Sequence, residues 1–197
     1  MPPRRIVTER LVVRCYEPSD APLLKEAVDS SLDHLRVFMN WAWDAPLPLE
    51  AVEELLATFR SQFEAGENFT YGLFTPDETE LVGGCGLHRR AGPEALEIGY
   101  WMRASRLRRG LVTEAAAALT RAAFERCAVE RVEIHVDPAN VASLGVPAKL
   151  GYVREATLRK RLPPVPPSLE RRDEVIFSLL DEEYPSSPAA AVPVEFG

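Results

Sequence analysis

Apolar positions recur along the chain with two different periods, and the changes of period mark its elements. Arg10 to Tyr16 is rich in Leu and Val and stops at Glu17-Pro18-Ser19-Asp20, which predicts a strand followed by a helix to about Ser30 with Asp20 at its N-cap. Beyond the aromatic segment His34 to Asp44, Val52, Leu55, Leu56, Phe59 and Phe63 return at helical spacing until Gly66, which predicts a second amphipathic helix. From Phe69 to Arg103 the pattern becomes three short strand-like runs, and breaks at Pro76-Asp77-Glu78 and Ala91-Gly92-Pro93 predict an antiparallel meander. In its third strand Leu96, Ile98, Tyr100 and Met102 alternate with Glu97, Gly99 and Trp101, so Glu97 falls on the face opposite the four apolar residues.

Leu111 to Cys127 is alanine-rich without internal Gly or Pro, a strong helix signal and one that permits close packing on a sheet. Arg131 to Asp137 alternates as a strand that Pro138 ends; Asn140 can cap a short helix to Leu150, and Gly151 supplies its stop. Tyr152 to Arg161 and Arg172 to Leu180 read as a final strand pair around Leu162 to Arg171, a loop holding four prolines. From Pro185 the sequence is low in complexity and short of anchors, so a domain over residues 1–184 is expected to carry a flexible tail over 185–197. The order of elements describes one α+β domain with a mostly antiparallel sheet and a strand-helix-strand unit in its middle.

Charge and composition narrow the function classes. A net charge of -7 argues against a sequence-independent grip on nucleic acid, and the basic runs Arg106 to Arg109 and Arg154 to Arg161 read as solvated faces. Cys15, Cys85 and Cys127 are far apart and in no metal-type spacing, as expected of free thiols in a reducing cytoplasm. His34, His88 and His135 are scattered and read as surface or packing residues, so no metal is expected. No apolar run approaches the roughly 18 residues that span a bilayer, and no export signal or membrane partner is predicted.

The informative junction is Trp101-Met-Arg-Ala-Ser-Arg-Leu-Arg-Arg-Gly-Leu-Val-Thr-Glu-Ala115, where a strand passes through a basic loop into the long helix. The first turn of a helix offers unpaired N–H groups and the positive end of the dipole, and Gly110 lets backbone approach a ligand closely, a geometry suited to a pyrophosphate. This stretch resembles the acetyl-CoA signature Q/R-x-x-G-x-G/A of the GNAT superfamily, which falls on Leu107-Arg-Arg-Gly-Leu-Val112; Leu107 and Val112 depart from it. Further segments are similar to the ribosomal-protein N-terminal, or Rim-type, branch: Thr8 to Arg14, His34 to Ala42, Leu96 to Trp101, Asn140-Val-Ala-Ser143, Lys149-Leu-Gly-Tyr152 and Arg172 to Leu179, in the right order. The resemblance implies a GNAT-like mixed sheet of about seven strands and about four helices, splayed between its fourth and fifth strands. It implies acetyl-CoA in that gap, held by Trp101, Met102 and Arg103 near the thioester and by Arg108, Arg109, Gly110, Leu111, Val112 and Thr113 at the phosphates.

The implied activity is transfer of an acetyl group to a primary amine, on a protein or peptide N-terminus or a small molecule. A lysine amine is neutral in roughly 0.04% of molecules at pH 7 and an α-amine in roughly 10%, so the latter asks less of a base. Glu97 is the candidate base, because its strand resembles the one beside the thioester and alternation keeps it off the main apolar face. The resemblance makes Ser143 the proton donor to the thiolate and Asn140 a cofactor contact, since Pro147 stands where many GNATs carry a tyrosine. Phe38 and Trp41 would line the acceptor side. An acetyltransferase of antibiotic amines and a non-catalytic acyl-CoA sensor are the competing readings; exposed strands or the tail could mediate a homodimer, and no pattern demands one.

Overall fold

A computed structural model describes residues 1–197. Its strands are β1 (Arg5–Val7), β2 (Val12–Cys15), β3 (Asn68–Phe74), β4 (Leu81–His88), β5 (Ala95–Met102), β6 (Arg131–Val136), β7 (Val153–Leu162), β8 (Arg172–Leu180) and β9 (Glu195–Phe196). Its helices are α1 (Ala21–Asp29), α2 (Leu32–Leu35), α3 (Leu49–Glu64), α4 (Leu111–Cys127) and α5 (Val141–Lys149). The strands join in one sheet in the order β7-β8-β6-β5-β4-β3-β2-β1-β9. The β5–β6 pair alone is parallel, and its register covers only Ala95–Glu97 against Arg131–Glu133. Past Glu97 the two strands part, while β6 continues against β8 as far as Val136. The expected splay is therefore present; the extra N-terminal strand β1 makes it a break between β5 and β6.

The main core lies between the sheet and α4, whose Ala115 to Ala118, Ala122 and Ala123 are fully buried. Alanine at these positions lets the helix backbone approach the strands, where Val132, Ile134, Leu96 and Ile98 supply the bulk. A smaller cluster on the other face packs Leu24, Val52 and Leu56 of α1 and α3 over Tyr16, Phe74 and Leu81. The cysteines are free: Cys85 is buried, and burial pushes the Cys15 thiol up to about 11 and raises that of Cys127.

Three expectations are corrected. The sheet has nine strands, because β1 and β9, of three and two residues, exist through pairing with neighbours rather than through a pattern of their own. Asp20 stands at the N-cap of α1, but its carboxylate does not make the capping bond; it accepts from the Glu17 amide at 2.8 Å and from Arg14 Nη1 at 2.7 Å and Nη2 at 2.9 Å, tying the strand end to the helix start. The segment after residue 184 is anchored rather than loose. Just before it the Tyr184 ring stacks on Phe124 at 4.8 Å; within it Ala189 is fully buried, Arg121 donates to the Val192 carbonyl at 2.7 Å, and Phe196 pairs with Ile6. Small residues permit this: a Cβ on Gly151 would come within 2.8 Å of Pro188.

Candidate active site

A cleft of about 750 Å³ opens where β5 and β6 part. Tyr100, Trp101 and Met102 of β5 form one wall, Asn140 with Val141 to Ser143, Gly145 and Val146 of α5 the opposite wall, the loop into α4 the mouth, and His34, Leu35, Phe38 and Met39 the far side. Because successive residues of β5 point to opposite faces, Tyr100 and Trp101 together show that the cleft reaches both sides of the sheet.

At its mouth the backbone forms an anion cradle. The main-chain amides from Arg108 to Thr113 donate to no carbonyl and no side chain; the first paired amide is that of Glu114, to Gly110 at 3.1 Å. Gly110 sits in the left-handed region at φ +78° and Arg108 at φ +60°, which turns consecutive N–H groups toward one point at the start of the 17-residue α4. The loop is fixed from behind. Buried Glu114 accepts from Thr8 Oγ1 at 2.7 Å, the Arg10 amide at 2.9 Å and Arg10 Nε at 2.6 Å, while Arg10 Nη1 donates to the Arg109 carbonyl at 2.8 Å.

The cations around this cradle divide into two sets. Arg106 is paired with Glu80 through Nε at 3.0 Å, and Arg103 grips Glu26 at 2.6 and 2.5 Å. Arg108, Arg109 and Lys149 line the cleft with no carboxylate partner. The expected cofactor contact by Arg103 is thus corrected: its side chain is engaged elsewhere and its amide donates to the Val82 carbonyl at 2.9 Å. Ladder alternation then turns the main-chain groups of Tyr100 and Met102, not those of Trp101 and Arg103, into the gap. Free amides at an αL glycine, with unpaired guanidinium and ammonium groups beside them, fit the diphosphate of a coenzyme A thioester. Leu107, which replaces a polar residue of the signature, packs against the core, and Leu111, Val112 and Thr113 line the cleft.

Deeper in, Asn140 caps α5 by accepting from the Ser143 amide at 3.1 Å, as expected. Ser143 Oγ and the Tyr100 hydroxyl share a hydrogen bond of 3.0 Å in which either can donate. Burial raises the Tyr100 phenol to about 12, so it stays protonated. The sequence reading missed Tyr100 because its alternation marked it only as an apolar-face residue; a hydroxyl on the strand beside the cleft was the available signal.

Glu97 does not line the cleft. It lies on the opposite face of β5 from Tyr100, 5% exposed, clamped by Arg90 through Nε at 2.7 Å and Nη2 at 2.5 Å. Beside it, His135 Nε2 meets Glu133 at 2.6 Å, and His135 Nδ1 lies 3.4 Å from Glu174 and 3.7 Å from Glu97. His135 is two residues past Glu133, the last residue of β6 that pairs with β5, so this polar cluster lies where the two strands begin to part. Of the other histidines, His88 is held by burial near 4 with Nδ1 2.5 Å from Asn68 Oδ1, and His34 lines the cleft, its pKa also lowered by burial. Phe38 is in the cleft wall; Trp41 is outside it, half-exposed and edge-on to Trp101 at 5.9 Å.

Comparison with known proteins agrees with this geometry. A family model described as an acetyltransferase (GNAT) domain matches residues 10–153. The [Ribosomal protein uS5]-alanine N-acetyltransferase of Escherichia coli (strain K12) is 26% identical over 157 residues, which are 79% of this chain and 81% of that protein. YdaF of Bacillus subtilis (strain 168), named as a candidate ribosomal N-acetyltransferase, is 29% identical over 183 residues, 90% of this chain and 95% of that one. The fold superposes on Mycobacterium smegmatis RimJ in complex with CoA-disulfide with a TM-score of 0.83 over 100% of both chains at 24% identity.

Proposed function

This chain belongs to the GNAT family and is an acetyl-CoA-dependent N-acetyltransferase, and we propose that its acceptor is the α-amine at the N-terminus of a protein or peptide. The observation that carries the proposal is the cleft itself, which runs from the amide cradle through the parted strands to the opposite face at Phe38. A cofactor held at one end leaves the other end for a chain terminus. The name of the Escherichia coli relative, an alanine N-acetyltransferase of a ribosomal protein, supports the same acceptor class.

Bound acetyl-CoA supplies an acetyl group activated as a thioester. The amides from Arg108 to Thr113, with Arg108, Arg109 and Lys149, hold the diphosphate, and the Met102 amide faces the gap. Ser143, polarised by the Tyr100 hydroxyl, is the group that delivers a proton to the sulfur. Glu97 collects the amine proton through water. An α-amine, already neutral in roughly 10% of molecules at pH 7, asks less of a base than a lysine. Thiol release from acetyl-CoA tests the reading with three acceptors: a peptide with a free N-terminus, the same peptide N-formylated but containing lysine, and an aminoglycoside. Turnover with the first alone is expected; turnover with the lysine peptide or the aminoglycoside in its place overturns the assignment.

A further inference from the structure

The β7–β8 hairpin carries cations without counter-ions in a chain of net charge -7. Arg154, Arg159, Lys160 and Arg171 are exposed and meet no carboxylate, and Arg161 approaches Glu174 only at 3.9 Å. The arrangement is held in place. The register breaks between Leu158 and Leu162, with Lys160 at φ +53°, and such a bulge re-aims the side chains it carries. Asp173 accepts from the Lys160 amide at 2.8 Å instead of neutralising a cation. Arg171 donates to the carbonyls of Lys160 and Arg161, both at 2.7 Å, and so locks the bulge. A salt bridge from Arg172 to Asp137 fastens the start of β8 to the end of β6, three residues before Asn140 in the cleft wall. The cationic tip and the cleft therefore share one end of the sheet.

We propose that this tip binds acidic side chains of the acceptor polypeptide, downstream of the amine that is acetylated. The proposal rests on the α-amine reading and narrows it to N-termini followed by Asp or Glu within about ten residues, an extended reach of roughly 33 Å. A short acidic peptide meets only the tip. A long polyanion such as RNA also meets the acidic remainder of the protein within a Debye length of about 8–10 Å, which disfavours it.

Two peptides with the same first three residues, one continuing with Glu and Asp and the other with Gln and Asn, test this on the full chain. The acidic peptide is expected to have a kcat/KM about five-fold higher at low salt, an advantage that fades near about 0.5 M NaCl. In the Arg159→Gln/Lys160→Gln variant the advantage disappears, while the neutral peptide and the KM for acetyl-CoA are unchanged. Equal rates on both peptides, or a preference that survives in the variant, overturn this proposal alone. Acetylation of neither peptide overturns it together with the α-amine reading. Tighter binding of a ribosomal RNA fragment than of the acidic peptide, lost in the variant, assigns the tip to nucleic acid and overturns it as well.

Discussion

Tyr100 on β5 and Ser143 on α5 meet hydroxyl to hydroxyl at 3.0 Å, across the gap where the sheet has parted. One residue comes from the strand wall and the other from the first turn of the helix that Asn140 caps. The pair is the only hydroxyl–hydroxyl contact in the cleft, one helical turn before buried Pro147.

Replacing either hydroxyl therefore affects turnover more than binding. Ser143→Ala is expected to lower kcat about 100-fold and Tyr100→Phe about 10-fold, with the KM for acetyl-CoA changed less than about two-fold. The double variant stays close to Ser143→Ala, because the two groups act as one unit. Thiol-release kinetics on the four proteins measure this, and multiplicative losses would separate the residues.

Gly110→Ala tests the cradle. A Cβ there finds room, its nearest neighbour being Arg10 Nη2 at 3.5 Å, so the cost is that of holding an L-residue at φ +78°. A loss of about 1–2 kcal/mol in unfolding free energy is expected, together with a raised KM for acetyl-CoA and little change in kcat at saturation. Urea denaturation and initial rates read the two effects separately.

Glu97→Gln is expected to slow turnover and move the pH–rate profile to higher pH, because without the carboxylate the amine must lose its proton to solvent. The KM for acetyl-CoA does not change, since Glu97 stands outside the cleft wall. An unaltered profile would remove Glu97 from the mechanism.

His88 makes stability depend on pH. Burial lowers it to about 4 in the folded protein, against about 6.5 for an exposed imidazole, so the unfolded chain binds the proton first as pH falls. Stability is unaffected above about pH 6.5 and declines between there and about pH 4, by roughly 2–3 kcal/mol from this group. His88→Gln is expected to flatten that part of the pH profile of urea unfolding; an identical slope in both proteins would contradict the assignment.

The elements legible in the sequence are those whose pattern is local. The alternation of Leu96 to Met102, the alanine run of α4, the Asn140 cap and the Gly151 stop at φ +85° all stand as read. The cradle was legible for the same reason, since Gly110 and its neighbours are contiguous. What escaped depends on residues distant in the chain. Nothing near Glu97 announces the clamp of Arg90 together with the approach of His135, and nothing near Arg106 announces Glu80, 26 residues away. Tyr100 and Ser143 are 43 residues apart, so only the fold reveals them as partners. Pro185 to Gly197 looked unanchored because its partners, Arg121, Arg126 and Ile6, come from α4 and β1.

Lateral growth is the standing hazard of any open sheet, and here each margin is guarded differently. Beyond β1, the C-terminal pair Glu195–Phe196 occupies the main-chain donors and acceptors that a foreign strand would need. Beyond β7, the kink at Lys160 breaks the straight rail, and like charges at Arg159, Lys160 and Arg161 repel an identical neighbour arriving side by side. The internal opening between β5 and β6 can then expose unpaired peptide groups to a cofactor without the outer margins inviting aggregation.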